Sequence, residues 1–154
     1  MKLIVAACAL LIGSAIGNAA PLEISVTTLS GKTFSSKAMR GKFLVINFWA
    51  TWCKPCLKEM PDFSQFASSR KDVAFLGLAY EETEEEELRN FLKKYPVSYE
   101  IAKVDVYAPP PKGIDVPKGL PTTLVFDRSG NLLKKFLGPV TSKELAAVMA
   151  GPVQ

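Results

Sequence analysis

A buried strand that runs directly into two closely spaced cysteines constrains this chain more than any other feature. Residues 42–50, KFLVINFWA, form a nearly continuous apolar run, which is typical of a strand covered on both faces of a sheet. The next residues, TWCKPC, place Cys53 and Cys56 at the start of a predicted helix that extends to about Ser69. Helix N-termini favour negative charge, so Cys53 is expected where a thiolate is stabilised.

The rest of the chain alternates strand and helix patterns. A second buried strand is predicted at 72–80, an amphipathic helix within 81–96 and a third strand at 97–106. Two strands around a turn at 128–130 and a final helix at 142–150 follow, and two short strands around residues 30–31 come first. This order predicts an α/β domain with a central mixed β-sheet flanked by helices on both faces, and an N-terminal β-hairpin extension.

Residues 1–19 are predicted to be a secretory signal peptide. Lys2 is the only charge before Glu23, and residues 3–16 are apolar or small. The apolar stretch is shorter than the roughly 20 residues of a membrane-spanning helix, and an uncleaved anchor is the alternative. Cleavage after Ala19, with Ala20 as the alternative site, leaves residues 20–154 as one folded domain, exported to the periplasm. It also removes Cys8, so that Cys53 and Cys56 are the remaining thiols.

Three kinds of chemistry are open to the cysteine pair. A structural zinc site needs four nitrogen or sulfur ligands, and the chain has no histidine, so no metal is expected. A purely structural bridge gains little stability because the loop that it closes is so short. Thiol–disulfide exchange fits the pair best, since it requires a thiolate. The net charge of +4 is spread along the chain and gives no indication of nucleic-acid binding.

The motif FWATWCKPC resembles the active-site segment of thioredoxin-fold proteins. The longer VINFWATWCKPC is most similar to exported reductases of the TlpA, ResA and CcmG kind. Further similarity lies in Pro61 within the first helix, in the segment 119–133 and in the lead-in 30–42. The resemblance covers about residues 22–150 and implies a thioredoxin-like fold.

The resemblance also implies roles for individual residues. Cys53 would be the exposed attacking thiolate, and Cys56 the buried thiol that resolves a mixed disulfide. Trp52 would shape the surface on which a substrate docks. Leu120 and Pro121 match the cis-proline loop, which in this family pairs with the backbone of the substrate.

Two departures from the thioredoxin pattern affect the predicted site. Asn47 occupies the position of a buried aspartate that transfers protons in general thioredoxins. Glu81, after the second buried strand, is the predicted replacement that takes the proton of Cys56, with Glu82 as its alternate. The second departure is the proline-rich link at 107–121, which either borders the substrate groove or is an ordinary surface loop.

The sequence therefore predicts an exported thiol–disulfide oxidoreductase that reduces protein disulfides. Its cofactor would be the Cys53–Cys56 disulfide itself, and its partners protein substrates with disulfides or thiols, with a membrane thiol-electron transporter as donor. Cytochrome c maturation and oxidase assembly are the pathways that the resemblance implies. The alternatives are a disulfide-forming oxidase or isomerase, and a redox-inert binding module or metallochaperone on the same fold.

Overall fold

The computed structural model describes residues 20–151, so the predicted signal peptide lies outside the described residues. The strands are β1 (Ser25–Thr27), β2 (Thr33–Ser35), β3 (Phe43–Trp49), β4 (Val73–Ala79), β5 (Glu100–Lys103), β6 (Thr122–Phe126) and β7 (Leu132–Leu137). The helices are α1 (Lys54–Ser69), α2 (Glu85–Lys94) and α3 (Ser142–Ala150), and a 3₁₀ turn covers Lys37–Met39. The predicted elements are all present, although β5 is shorter than the segment 97–106 assigned to it.

The central sheet has five strands in the order β5-β4-β3-β6-β7. The strands β3, β4 and β5 run parallel, whereas β6 pairs antiparallel with both β3 and β7. Every residue of β3 and β4 is buried, as expected for the centre of a sheet covered on both faces. The sheet is mixed, as the strand order in the sequence predicts.

The two faces of this sheet are covered differently. Trp49 of β3 packs in one apolar cluster with residues of all three helices: Phe63 of α1, Leu88 of α2 and Leu145 of α3. The opposite cluster, which contains Phe48, is covered by β1, β2 and part of the proline-rich link, with Met39 of the 3₁₀ turn beside it. The prediction of helices on both faces is therefore wrong for the α-helices described.

The proline-rich link explains the missing helix. Pro109, Pro110 and Pro111 follow one another, and proline cannot donate the backbone hydrogen bonds of a helix interior. The link instead buries Ile114 against the second face of the sheet, in the same cluster as Phe48. A non-helical chain therefore covers the sheet at this point.

Gly77, in the middle of β4, makes room for Trp49 immediately before the cysteine motif. A Cβ atom at this position would lie 2.5 Å from Ile101 Cδ1 and 3.2 Å from Trp49 Nε1. Such contacts require the side chains of Ile101 and Trp49 to shift, so glycine leaves the space that these side chains occupy. The indole of Trp49 lies across β4 in this space, and it is fully buried.

Candidate active site

The two cysteines lie where β3 passes into α1. Cys53 is the N-cap residue of α1, and its Sγ accepts a hydrogen bond of 3.3 Å from the backbone N–H of Cys56. The two sulfurs form a disulfide with an S–S distance of 2.03 Å. The free N–H groups and the dipole at a helix N-terminus favour an anion at this position. The geometry therefore stabilises a thiolate on Cys53 once the disulfide is reduced.

Cys53 is less accessible in the disulfide form than predicted. It is only 4% exposed and Cys56 is fully buried. The prediction of an exposed Cys53 is wrong for this form. Its sulfur is bonded to Cys56, and the residue packs in the apolar cluster that contains Trp49 and residues of the three helices, against which Leu120 also lies. Trp52, which precedes Cys53, is by contrast exposed, with 67% of its surface accessible.

The loop before β6 lies at the same edge of the sheet. The peptide bond between Leu120 and Pro121 is cis, as the resemblance implies. Because β6 runs antiparallel to β3, its first residue, Thr122, pairs with Phe48 near the end of β3 that leads to the cysteines. The carbonyl of Pro121 accepts a hydrogen bond of 2.9 Å from Gly138 N, which ties the loop to the end of β7. Substrate binding by Trp52, Leu120 and Pro121 stays a prediction.

Glu81 lies directly behind the cysteine motif and is 9% exposed. Its Oε1 accepts a hydrogen bond of 2.7 Å from Thr51 N, and its Oε2 one of 2.9 Å from Thr51 Oγ1. Both carboxylate oxygens therefore bind the residue two positions before Cys53. Glu82, the alternate, accepts a hydrogen bond of 2.6 Å from the hydroxyl of Tyr107 in the proline-rich link.

Replacing Glu81 with glutamine is expected to shift the pH profile of Cys53 alkylation. Glutamine keeps one oxygen for Thr51 N and offers an amide N–H to Thr51 Oγ1, so the loop geometry is retained while a negative charge is lost. Removing a negative charge near Cys53 favours the thiolate, and we expect the profile to move to lower pH by about half a unit. Iodoacetamide modification from pH 5 to 9 measures this, and an unchanged profile would contradict an electrostatic or proton-transfer role for Glu81.

A second buried carboxyl, Glu59, was missed in the sequence. It follows Cys56 by three residues on α1, so both side chains lie on one face of the helix. Glu59 is 6% exposed. It accepts hydrogen bonds of 3.1 Å from Asn47 Nδ2 and 3.2 Å from Val140 N.

Burial raises the pKa of Glu59 to about 7, although the hydrogen bonds from Val140 and Asn47 oppose the shift and the charge of Asp62 adds to it. A carboxyl with such a pKa exchanges protons near neutral pH. Asn47 also donates a 3.0 Å hydrogen bond to Thr123 Oγ1. Thr123 of β6 therefore orients the Asn47 amide that donates to Glu59. The sequence signal for this acid was the spacing Cys-X-X-Cys-X-X-Glu, which puts it on the buried face of α1.

Neither a metal site nor a membrane span is found in the part of the chain that the structure describes. No group of three or more histidine, cysteine, aspartate or glutamate side chains within residues 20–151 is arranged to hold a metal ion. No helix in this range is both long and apolar enough to cross a bilayer. The redox group that the site contains is the disulfide itself.

A strand–Cys-X-X-Cys–helix junction beside a cis-proline loop defines a thioredoxin-like thiol–disulfide oxidoreductase. The Redoxin family model matches residues 15–149, and the chain belongs to this family. Thiol-disulfide oxidoreductase ResA of Bacillus cereus is 34% identical over an alignment of 138 residues, and the match covers 84% of this chain and 74% of that protein.

Solved structures of related proteins agree with this assignment. A thiol:disulfide interchange protein of Chlorobium tepidum has a TM-score of 0.68 and 29% identity, and the match covers 86% of this chain and 96% of that one. A secreted disulfide oxidoreductase of Mycobacterium tuberculosis, described as homologous to Escherichia coli DsbE, has a TM-score of 0.64 and 25% identity over 82% of this chain and 93% of that one. The chain therefore has a thioredoxin-like fold and the site of a thiol–disulfide oxidoreductase.

Proposed function

We propose that this protein is an exported reductant of protein disulfides. The observation that carries the proposal is the position of Cys53 at the N-cap of α1, bonded to Cys56, in a family of thiol–disulfide oxidoreductases. A thiolate at a helix N-terminus is stabilised, and thiolates are the nucleophiles of disulfide exchange. The dithiol form of the protein would be the active reductant.

The reaction proceeds in two exchange steps. The Cys53 thiolate attacks one sulfur of the substrate disulfide, forming a mixed disulfide and releasing the other substrate sulfur as a thiolate. Cys56 then attacks Cys53 Sγ, which forms the Cys53–Cys56 disulfide and releases the second substrate thiolate. The substrate gains two electrons and two protons, and this protein is oxidised by the same amount.

Cys56 must lose its proton before the second step, and Glu59 is the group we propose to accept it. Glu59 lies one helical turn beyond Cys56, and its pKa of about 7 matches the pH at which it would work. The carboxylate of Glu81 is instead engaged by Thr51 at both oxygens. The proton-transfer role predicted for Glu81 stays a prediction, and we propose in addition that this residue fixes the loop that carries Trp52.

The leader pattern and one related protein support the proposed export, and the partners are part of the same proposal. Residues 1–19 have the composition of a signal peptide, and a similar protein of Mycobacterium tuberculosis is described as secreted. In the periplasm a reductant needs a continuous supply of electrons, which a membrane thiol-electron transporter would provide. Substrates would be protein disulfides, for example those of cytochrome c maturation or oxidase assembly.

The direction of electron flow is tested by the equilibrium reduction potential of the Cys53–Cys56 pair. We expect a value near the roughly −270 mV of thioredoxin, because the proposed role requires a stable disulfide form. The protein is equilibrated with dithiothreitol or glutathione buffers, and the fraction of free thiol is counted after alkylation. A value near the roughly −120 mV of a strong periplasmic oxidant would contradict the reductant role and favour disulfide formation. A pair that does not reduce reversibly would favour a redox-inert binding module.

A further inference from the structure

The proline-rich link forms one wall of an apolar groove close to the active site. Residues 109–111 and Pro117 line one side of a cavity of about 210 Å³, and Phe48, Tyr80 and Val104 line the other. Val116, also on the wall, is 49% exposed, although it is an aliphatic side chain. The groove is thus walled by stiff chain, because consecutive prolines favour an extended segment with few conformations.

A second, strongly acidic cleft of about 630 Å³ adjoins this groove. The two share residues 103–105, and six carboxylates line the cleft against one lysine, Lys103. The carboxylates are those of Glu81, Glu82, Glu84, Glu85, Glu87 and Asp105. The whole chain has a net charge of +4, so this concentration of negative charge is local. A cleft lined by one sign of charge attracts the opposite sign.

Tyr107 connects the groove wall to the acidic cleft. Its hydroxyl donates a hydrogen bond to Glu82 Oε2, and its backbone N–H donates one of 2.9 Å to Asp105 Oδ1. The ring is nonetheless 79% exposed. These two contacts hold the start of the proline-rich link beside the acidic residues, so that one bound segment is able to touch both surfaces.

Both surfaces lie at the edge of the sheet that carries the disulfide. Tyr80, which lines the groove, donates its backbone N–H to Trp49 O at 2.8 Å. Glu81, which lines the cleft, accepts two hydrogen bonds from Thr51, two residues before Cys53. Through these contacts the groove and the cleft border the residues that lead from β3 into the disulfide.

We propose that the groove and the cleft together bind the substrate polypeptide at a segment that carries an aliphatic side chain next to lysine or arginine. The aliphatic side chain enters the groove, and the basic residues face the carboxylates of the cleft. This inference rests on the proposed function, since it names the class of disulfide substrate that the reductant prefers. It also gives the proline-rich link a role as the wall of a recognition site.

The test compares the reduction of three synthetic peptides by the purified, reduced full chain. The peptides contain the same intramolecular disulfide and differ in the flanking residues, which are Leu-Lys-Lys, Leu-Glu-Glu or Ala-Lys-Lys. At low salt we expect the Leu-Lys-Lys peptide to react about tenfold faster than the Leu-Glu-Glu peptide, because complementary charge raises association rates. This preference should decrease at about 0.15 M salt, where exposed charges are screened.

Two adjacent residues supply a matched pair of variants. Glu87→Gln removes a charge that lines the cleft, whereas Glu86→Gln removes one from the same helical turn that does not line it. We expect Glu87→Gln to lower the ratio of the Leu-Lys-Lys rate to the Leu-Glu-Glu rate about threefold, and Glu86→Gln to leave it nearly unchanged. The groove should also make the Leu-Lys-Lys peptide react faster than the Ala-Lys-Lys peptide, and Val116→Asp, in the groove, should abolish this advantage.

The outcomes separate this inference from the function on which it rests. Reduction of all three peptides at equal rates would overturn the docking site and leave the reductant role intact. Failure to reduce any peptide would overturn both. An equal effect of Glu86→Gln and Glu87→Gln on the rate ratio would show that the cleft does not cause the preference for basic peptides, which would overturn the proposal. A preference seen only when the oxidised protein accepts electrons from reduced peptides would also overturn it, because the surface would then bind the electron donor.

Discussion

Replacing Cys56 with serine is expected to convert the protein into a trap for its substrates. Cys53 keeps its place at the N-cap of α1 and attacks a disulfide as before. The mixed disulfide then persists because serine offers no thiol to displace the substrate. Reduction of a peptide disulfide should fall by about 10³-fold or more, as it does when a group essential to covalent catalysis is removed.

Cys53→Ser is the matched control, because it removes the nucleophile from the same bridge. This variant should lose turnover to the same extent. It should form no mixed disulfide between Cys56 and the substrate, because the Cys56 side chain is fully buried in the disulfide form. Both variants are best made with Cys8→Ser, since the full chain carries that third thiol. Mass spectrometry under non-reducing conditions detects the adduct. Trapping by the Cys53→Ser variant and not by the Cys56→Ser variant would reverse the assigned roles.

The local pattern of the sequence was sufficient to predict the elements that hold the disulfide. The continuous apolar runs of β3 and β4 predicted central strands, and both are buried at every residue. The motif also predicted that Cys53 would lie at the N-terminus of α1, where it is the N-cap residue. These features depend on residues that are close together in the chain, and for this reason the sequence pattern was sufficient to predict them.

The sequence could not predict features that depend on distant segments. Glu59 is buried because Asn47 of β3 and the backbone of Val140 satisfy its carboxylate, and these partners are 12 and 81 residues away in the chain. The spacing from Cys56 places Glu59 on the buried face of α1, but the periodicity of α1 does not show that a carboxyl there would find hydrogen-bond donors. The prediction of a helix on the second face of the sheet was wrong for a similar reason. That face is covered by Ile114 of the proline-rich link and by the N-terminal hairpin, and both contacts join segments that are distant in the sequence.

Glu59→Gln is expected to change how the stability of the protein depends on pH. The pKa of Glu59 is about 7 in the folded protein and near 4.5 in the unfolded chain, so between these values the folded state holds a proton that the unfolded state has lost. Stability from this group is therefore fully present below about pH 4.5 and is lost as the pH rises to about 7. The shift corresponds to about 3 kcal/mol, at 1.36 kcal/mol per unit of pKa.

The glutamine variant should lack this loss, because its amide does not titrate and is close to the carboxyl in shape. Asn47 Oδ1 has no hydrogen-bond partner among the described residues. If the Asn47 amide rotates, this oxygen accepts a hydrogen bond from the amide N–H of the new glutamine, and the glutamine oxygen accepts one from Val140 N. Relative to the wild type, the variant should gain about 3 kcal/mol in unfolding free energy between pH 4 and pH 8, measured by urea titration of the disulfide form. Glu86→Gln, an exposed carboxyl, is the control and should give a nearly constant difference. If the Glu59→Gln curve runs parallel to the wild type, the buried carboxyl does not titrate near neutral pH, and the proton of Cys56 must leave by another group, with Glu81 the next to test.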